Sequence, residues 1–165
     1  MSLSNLHIMM NYLRGTYKVL EEEWQKSARS IGLTQAEQHV LWIVQLEQEA
    51  TITRIASIGL WDVSTVMQVI TRLKQKGYIT LVKKDADRRV SYAVLTELGK
   101  EKFQESKEFS YKLYDYLENY SQLSNENSEF LEKLMEFHRD LNKHFHGTEF
   151  IDWAEKTAKT LKKGS

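Results

Sequence analysis

Trp61–Gly77, WDVSTVMQVITRLKQKG, combines an apolar stripe with an opposite face that carries no acid after Asp62. The stripe has the spacing of an amphipathic helix and consists of Val63, Val66, Val69, Ile70 and Leu73. The other face holds hydroxyl, amide and guanidinium groups: Ser64, Thr65, Gln68, Thr71, Arg72 and Gln75. Such groups can hydrogen-bond to base edges and phosphates, although a solvated helix that happens to lack carboxylates would look the same.

The charge distribution favours a polyanionic partner. The 165-residue chain has a net charge of zero, but residues 72–90 hold 7 basic side chains against 2 acidic ones. Residues 97–140 hold 6 basic side chains against 11 acidic ones. Positive charge is therefore concentrated directly after the predicted helix, where a phosphate backbone would select it.

Composition excludes several mechanisms. The chain contains no cysteine, so thiol-oxidation sensing and thiolate-zinc chemistry are excluded. No apolar run approaches about 18 residues, and no N-terminal block resembles a signal peptide, so we expect a cytoplasmic protein without a membrane partner. The absence of proline and the 7 glycines leave little to interrupt helices.

The residues before Trp61 predict three helices. The first, about Asn5–Arg29, carries a seam of apolar residues that needs a partner helix: Leu6, Met10, Leu13, Tyr17, Leu20 and Trp24. Thr34 and Glu37 form a capping box that opens the second helix. A third, about Thr53–Ile58 with Thr51 or Thr53 as its N-cap, is followed by Gly59, which we expect to make the turn of a helix-turn-helix.

After Gly77 the pattern changes to period two. Tyr78–Lys83 and Val90–Leu95 read as strands, and the polar segment between them makes a hairpin, or wing. Thr96 caps a helix predicted over Glu97–Tyr120, another helix follows over Glu129–Phe145, and an amphipathic segment ends the chain. We predict a mainly α fold with a small β-hairpin wing, a winged helix-turn-helix with long N- and C-terminal dimerisation helices. The predicted divisions are residues 1–30, 31–98 (the DNA-binding lobe) and 99–165.

This order of elements resembles the MarR family of winged helix-turn-helix transcriptional regulators. The residues that carry the resemblance, over about residues 5–120, are Gly32-Leu-Thr34, Leu41, Ile55-Ala56, Ser64-Thr65-Val66, Leu73, Lys76-Gly77-Tyr78-Ile79, Asp87-Arg-Arg89 and Leu95-Thr96-Glu-Leu-Gly99. Within the family, His39–Ile43, Gly59, Val63–Thr65 and His144–Trp153 look closest to the Hpr subgroup, which represses genes for extracellular proteases and sporulation.

The resemblance implies a sequence-specific regulator, expected to be a repressor, that places the Trp61–Gly77 helix in the major groove and the wing in the minor groove. By groove geometry Ser64, Thr65 and Gln68 would read bases, and Trp61 would contact the backbone or a thymine methyl. Arg88 or Arg89 at the wing would enter the minor groove, and the resemblance favours Arg89, oriented by Asp87, although that pair could simply stabilise the hairpin. The expected DNA-binding residues are Arg54, Trp61, Ser64, Thr65, Gln68, Thr71, Arg72, Lys76, Lys84, Asp87, Arg88 and Arg89.

Unmatched seams on the terminal helices imply a homodimer, and a two-fold dimer implies a palindromic operator. In the family, the first and last helices interlock, which would bury Leu6, Met10, Leu13, Tyr17, Leu20, Phe130, Leu134 and Leu141. Packing within one chain is the alternative.

Other functions have less support in the sequence. The resemblance implies a small-molecule effector in a crevice between the dimer helices and the DNA-binding lobe. Aromatics such as Tyr17, Trp24 and Tyr114 would line it, but such residues are more often core. His138, His144 and His146 lack ligand spacing apart from Asp140–His144, so neither a metal nor another cofactor is expected.

No phosphate loop, nucleophile elbow or metalloprotease motif argues for an enzyme. A winged-helix protein-interaction module without DNA binding is the rival hypothesis.

Overall fold

The chain is mainly α-helical with one small antiparallel sheet, as predicted. The computed structural model describes residues 2–84 and 87–162, apart from the side chains of Asp87, Arg88, Thr160 and Lys162. The described elements, in chain order, are α1 (Leu3–Ser30), α2 (Gln35–Glu47), β1 (Ala50–Thr51), α3 (Ile52–Gly59), α4 (Val63–Gln75), β2 (Ile79–Lys84), β3 (Asp87–Leu95), α5 (Glu97–Glu105), α6 (Lys112–Gln122), α7 (Asn125–His146) and α8 (Thr148–Lys162).

The core is built around α2. The predicted capping box begins this helix, since Thr34 Oγ1 accepts from the Glu37 N–H at 3.2 Å and the Glu37 carboxylate accepts from the Thr34 N–H at 2.9 Å. One cluster buries side chains from α2, α3 and α4, among them Val40, Leu41, Ile43, Val44, Ile55, Ile58, Val66, Val69, Ile70 and Leu73. Each large apolar side chain buried in this way contributes about 1.5–3 kcal/mol, so the core fixes α4 firmly.

The turn between α3 and α4 differs in detail from the prediction. Leu60, not Gly59, takes the left-handed conformation, with a φ of 56°. Gly59 is the last residue of α3, and a β carbon there would lie 2.6 Å from the Trp61 ring. The glycine is therefore needed to make room for the indole, which packs directly over it.

The predicted wing is present as a hairpin in which β2 begins and ends one residue later than predicted and β3 begins three residues earlier. β2 pairs with β3, with Ile79 opposite Leu95, and β1 adds a short third strand that pattern reasoning missed. Residues 85 and 86 lie outside the described residues. Thr96 caps α5 as predicted, through a 3.1 Å bond from the Gly99 N–H.

The prediction of a single helix over Glu97–Tyr120 is wrong, because this segment forms two helices, α5 and α6. Ser106 is buried at the break, where its hydroxyl donates to the Phe103 carbonyl at 2.6 Å and accepts from Trp42 Nε1 at 2.8 Å. The Glu23 carboxylate then accepts from the Leu113 N–H at 2.9 Å, in the first turn of α6. These contacts attach α5 to the core of the lobe and α6 to α1.

Helix α7 is longer than the pattern indicated. α7 begins four residues before the predicted Glu129 and ends one residue after Phe145. α8 contacts α3, and here Ile151 is buried and Trp153 packs against the core. None of the described helices has the length and apolar character needed to cross a membrane.

Candidate nucleic-acid interface

Helix α4 presents the polar face that the sequence predicts. Its inner residues are buried in the core, whereas the predicted base-reading residues Ser64, Thr65 and Gln68 are exposed. Thr71 and Arg72 lie on the same outer surface. Asp62 occupies the N-cap position, but its side chain makes no capping hydrogen bond.

Two apolar residues depart from the predicted pattern of α4. Val63 was assigned to the buried stripe, which is wrong, because this side chain is 44% exposed. It occupies the first turn, which extends beyond the core that α2 and α3 cover. Met67, which the pattern left unassigned, is 56% exposed on the outer surface.

Trp61 is half-buried in an aromatic stack that precedes α4. Its ring centroid lies 5.0 Å from that of His39, which in turn lies 4.8 Å from the ring of Trp24 in α1. Burial lowers the pKa of His39 to about 4, so the imidazole is neutral at physiological pH. The stack joins α1, α2 and the loop before α4, which fixes where α4 begins.

The two cations at the end of α4 share one buried carboxylate. Lys76 Nζ donates to Glu37 at 2.8 Å and to the Gly32 carbonyl at 3.3 Å, and Arg72 Nε lies 3.5 Å from the other Glu37 oxygen. Burial alone would raise the pKa of Glu37, but the bonds from Lys76 and the Thr34 N–H outweigh it and lower that pKa. The Glu37 carboxylate therefore anchors two positive side chains, of which Arg72 remains 48% exposed and Lys76 38% exposed.

Arg54, one of the expected DNA-binding residues, is held by two carboxylates. Its Nε donates to Glu47 at 2.9 Å, and its guanidinium also donates to Glu149 at the start of α8. Ser57 Oγ donates to the other Glu149 oxygen at 3.0 Å. The bond to Glu47 raises the pKa of Arg54 further, so the guanidinium stays charged but is neutralised locally.

The wing is described in part. Lys84 forms an ion pair with Glu49 and lies 4.9 Å from the ring centroid of Tyr92. Arg89 is exposed on β3. The side chains of Asp87 and Arg88 lie outside the described residues, so the predicted Asp87–Arg89 bond stays a prediction.

The predicted dimer residues form an apolar surface on α1 and α7. In the single chain the seven residues Leu6, Met10, Leu13, Tyr17, Leu20, Phe130 and Leu141 are exposed, and Leu134 is half-buried. An open groove of about 910 Å³ runs between the two helices and is lined almost entirely by apolar atoms. Leu13, Tyr17, Leu20, Phe130 and Leu134 line it. Packing within this chain thus leaves the seam uncovered.

The aromatics considered for an effector crevice do not come together. Tyr17 lines the groove between α1 and α7, Trp24 contacts His39, and Tyr114 is 65% exposed outside the groove lining. In the described part of the chain, no group of three or more histidine, aspartate or glutamate side chains is placed to hold a metal ion.

The partners of the cations were missed by sequence reasoning. Glu37 was recognised only as part of a capping box, and its burial gives it the second role of anchoring Arg72 and Lys76. Glu149 lies 95 residues from Arg54, so no local pattern could have paired them.

Known proteins resemble this chain in sequence. The sequence model described as "MarR family" matches residues 33–91, which include α3, α4 and most of the wing. The HTH-type transcriptional regulator Hpr of Halalkalibacterium halodurans is 30% identical over 162 residues, covering 96% of this chain and 82% of that protein. The DNA-binding transcriptional repressor ScoC of Bacillus subtilis is 34% identical over 95 residues, covering 58% of this chain and 47% of that protein.

Solved structures share the fold. A mutant MarR from E. coli complexed with operator DNA has a TM-score of 0.63 at 18% identity, covering 82% of this chain and 97% of that chain. At this identity the similarity concerns the fold alone.

Proposed function

We propose that this chain, which belongs to the MarR family and to its Hpr subgroup, represses transcription by binding a palindromic operator as a homodimer. It is a DNA-binding transcriptional regulator and not an enzyme. The observation that carries the proposal is the outer face of α4, which is exposed, free of acid and flanked by cations that a buried carboxylate holds in place.

Base reading is assigned to the N-terminal half of α4, because a helix in the major groove contacts bases mainly with that half. Ser64, Thr65 and Gln68 are exposed there. Gln68 can bond bidentately to adenine, which discriminates against other bases by about 1–3 kcal/mol. Trp61 is assigned a positioning role before α4, since its ring is already packed against His39 and over Gly59.

Phosphate contacts are assigned to Arg72 and Lys76 at the end of α4. Each keeps a large exposed fraction after pairing with Glu37, and the three groups together carry a net positive charge. Arg54 can join them only if its guanidinium turns away from Glu149. At the wing, Lys84, Arg88 and Arg89 would follow the backbone or enter the minor groove, with Asp87 orienting Arg89.

The homodimer is assigned to the surface of α1 and α7. An apolar groove with this many exposed residues is unusual on a monomer and marks an interaction site. A two-fold dimer presents two copies of α4, so the half-sites should lie about one helical turn, near 34 Å, apart. Residues 1–30 and 99–165 would then provide dimerisation, and residues 31–98 the DNA-binding lobe.

Repression is proposed because a relative is named a DNA-binding transcriptional repressor. The rival, a protein-interaction module that has lost DNA binding, would have no reason to keep the α4 face free of acid. Selection from a library of random-sequence duplexes with the purified protein separates the two. Recovery of a palindrome supports the proposal, and recovery of no common sequence contradicts it.

Gln68→Ala sharpens that experiment. If Gln68 reads a base, its variant should recover a palindrome in which one symmetric pair of positions has lost its preference. Arg72→Ala is the matched control on the same helix, and it should weaken binding to all sequences alike. An unchanged preference with Gln68→Ala would contradict the assignment of Gln68.

A further inference from the structure

One edge of the outer surface of α4 is apolar. Val63 and Met67 lie one helical turn apart and are 44% and 56% exposed. Gln68 and Arg72 lie along the other edge, at the same spacing. The helix therefore offers a polar edge and an apolar edge side by side, and the polar functions proposed above use only the first.

The apolar edge is not needed by the core. Val66, Val69 and Ile70 already fill the space beneath α4, where all three are buried. Burying Val63 or Met67 against a partner would remove apolar surface from water, which is favourable. Their exposure in the single chain therefore marks a surface that a ligand can cover.

The neighbourhood of Met67 is suited to an apolar ligand group. The Thr71 hydroxyl donates to the Met67 carbonyl at 2.8 Å, so its proton is used inside the helix. Met67 lines a shallow depression of about 510 Å³ with Ser64, Gln68, Thr71 and Arg72. Methionine is unbranched and polarisable, so it can adapt to a small group that enters this depression.

We propose that Met67, on the edge that it forms with Val63, recognises the C5 methyl group of a thymine in the operator. This inference rests on the proposed function, which places α4 in the major groove. There the thymine methyl is the apolar group that base pairs display, and apolar side chains recognise it. The thymine contact first considered for Trp61 passes to Met67, because the Trp61 ring is packed against His39.

The adjacent positions of Met67 and Gln68 predict what α4 selects. An A·T pair displays N6 and N7 of adenine beside the C5 methyl of thymine in the major groove. Gln68 would bond the adenine edge while Met67 contacts a thymine methyl in the same or the next pair. The operator half-site should therefore contain an A·T pair at which replacing thymine by cytosine, or removing its C5 methyl group, weakens binding.

Deoxyuridine tests the inference because it differs from thymidine in the base only by lacking that methyl group. Each thymine of the selected palindrome is replaced in turn, in both half-sites together, and the affinity of the 165-residue chain is measured. Removing one buried methyl from a contact should weaken binding about fourfold, or about 15-fold for the symmetric pair. One symmetric pair should show this loss.

Met67→Ala completes a double-mutant cycle. This variant should bind the thymine and deoxyuridine duplexes equally at that pair, whereas Gln68→Ala, the control, should retain the loss. Because Met67 is exposed, the variant should unfold at the same urea concentration as the parent. Sequence-specific binding that is insensitive to every deoxyuridine, or an equal loss in Met67→Ala, would overturn this inference alone. Failure to select any sequence would overturn the proposed function as well.

Discussion

The imidazole of His39 lies edge-on to the indole of Trp61, with ring centroids 5.0 Å apart and an interplanar angle of 76°. His39 also contacts Trp24, so it joins α1, which carries the proposed dimer surface, to the loop that precedes α4. Protonation of His39 would place a charge in this stack, and burial lowers its pKa from 6.5 to about 4.

That shift predicts how stability depends on pH. Between pH 6.5 and 4 the unfolded chain binds a proton at His39 that the folded chain does not, so stability falls as the pH falls. The loss should approach about 3 kcal/mol at pH 4. His39→Phe should flatten this part of the profile in urea unfolding, whereas His146→Phe, at an exposed position, is the control. An identical slope in wild type and His39→Phe would contradict the account.

Gly99 is constrained by a backbone contact. A β carbon at Gly99 would lie 2.0 Å from the Tyr78 carbonyl oxygen, which cannot move easily because it accepts from the Thr96 N–H at 3.1 Å. Gly99→Ala should therefore destabilise the protein by about 1–3 kcal/mol in urea unfolding. Gly15→Ala is the control, since α1 leaves space there and alanine should stabilise the helix by up to about 1 kcal/mol. Equal stabilities of the two variants would refute this explanation.

Glu149 should oppose DNA binding if Arg54 is a phosphate ligand. Its carboxylate pairs with Arg54 and accepts from Ser57, so a phosphate must displace it. Glu149→Gln should raise operator affinity about two- to fivefold per subunit at low salt, the range expected for an exposed ion pair. Glu155→Gln is the matched control, because Glu155 is on the same helix but pairs with Arg139 at 2.7 Å. If the two variants bound the operator with equal affinity, Arg54 would not be part of the DNA interface.

The apolar groove predicts a dimer that one charge can disrupt. Leu13 lines the groove between α1 and α7, so Leu13→Glu would place a carboxylate inside a desolvated interface. The mass of the Leu13→Glu variant, measured by light scattering, should fall to that of the monomer. Its operator affinity should be lost in parallel. Leu123→Glu is the control, because Leu123 is 76% exposed and does not line the groove. A Leu13→Glu variant that stays dimeric would place the interface elsewhere.

Local features were predictable from the sequence. The period of the α4 stripe, the Thr34–Glu37 capping box and the Thr96 N-cap each depend on residues within a few positions of one another, and each is found. Val63 was misassigned because its place on the stripe follows from period alone, whereas its burial depends on how far the core extends.

Long-range contacts explain the remaining differences. The helix predicted through residue 120 is broken where Ser106 bonds Trp42, a residue 64 positions away. β1 consists of two residues that pair with β3, and a segment this short has no pattern from which a strand could be predicted. The carboxylates that pair with Arg54 and Lys76 come from other helices, so no local pattern in the sequence could show these ion pairs.

The central claim, that α4 and the wing bind a phosphate backbone, is tested most directly by the salt dependence of affinity for the selected palindrome. About six phosphate contacts per dimer predict a logarithmic slope near −5, or about a 10³-fold loss between roughly 50 and 200 mM salt. Arg72→Ala should make the slope shallower by about two per dimer, one per subunit. A wild-type affinity that changes less than about threefold over that range would contradict the account.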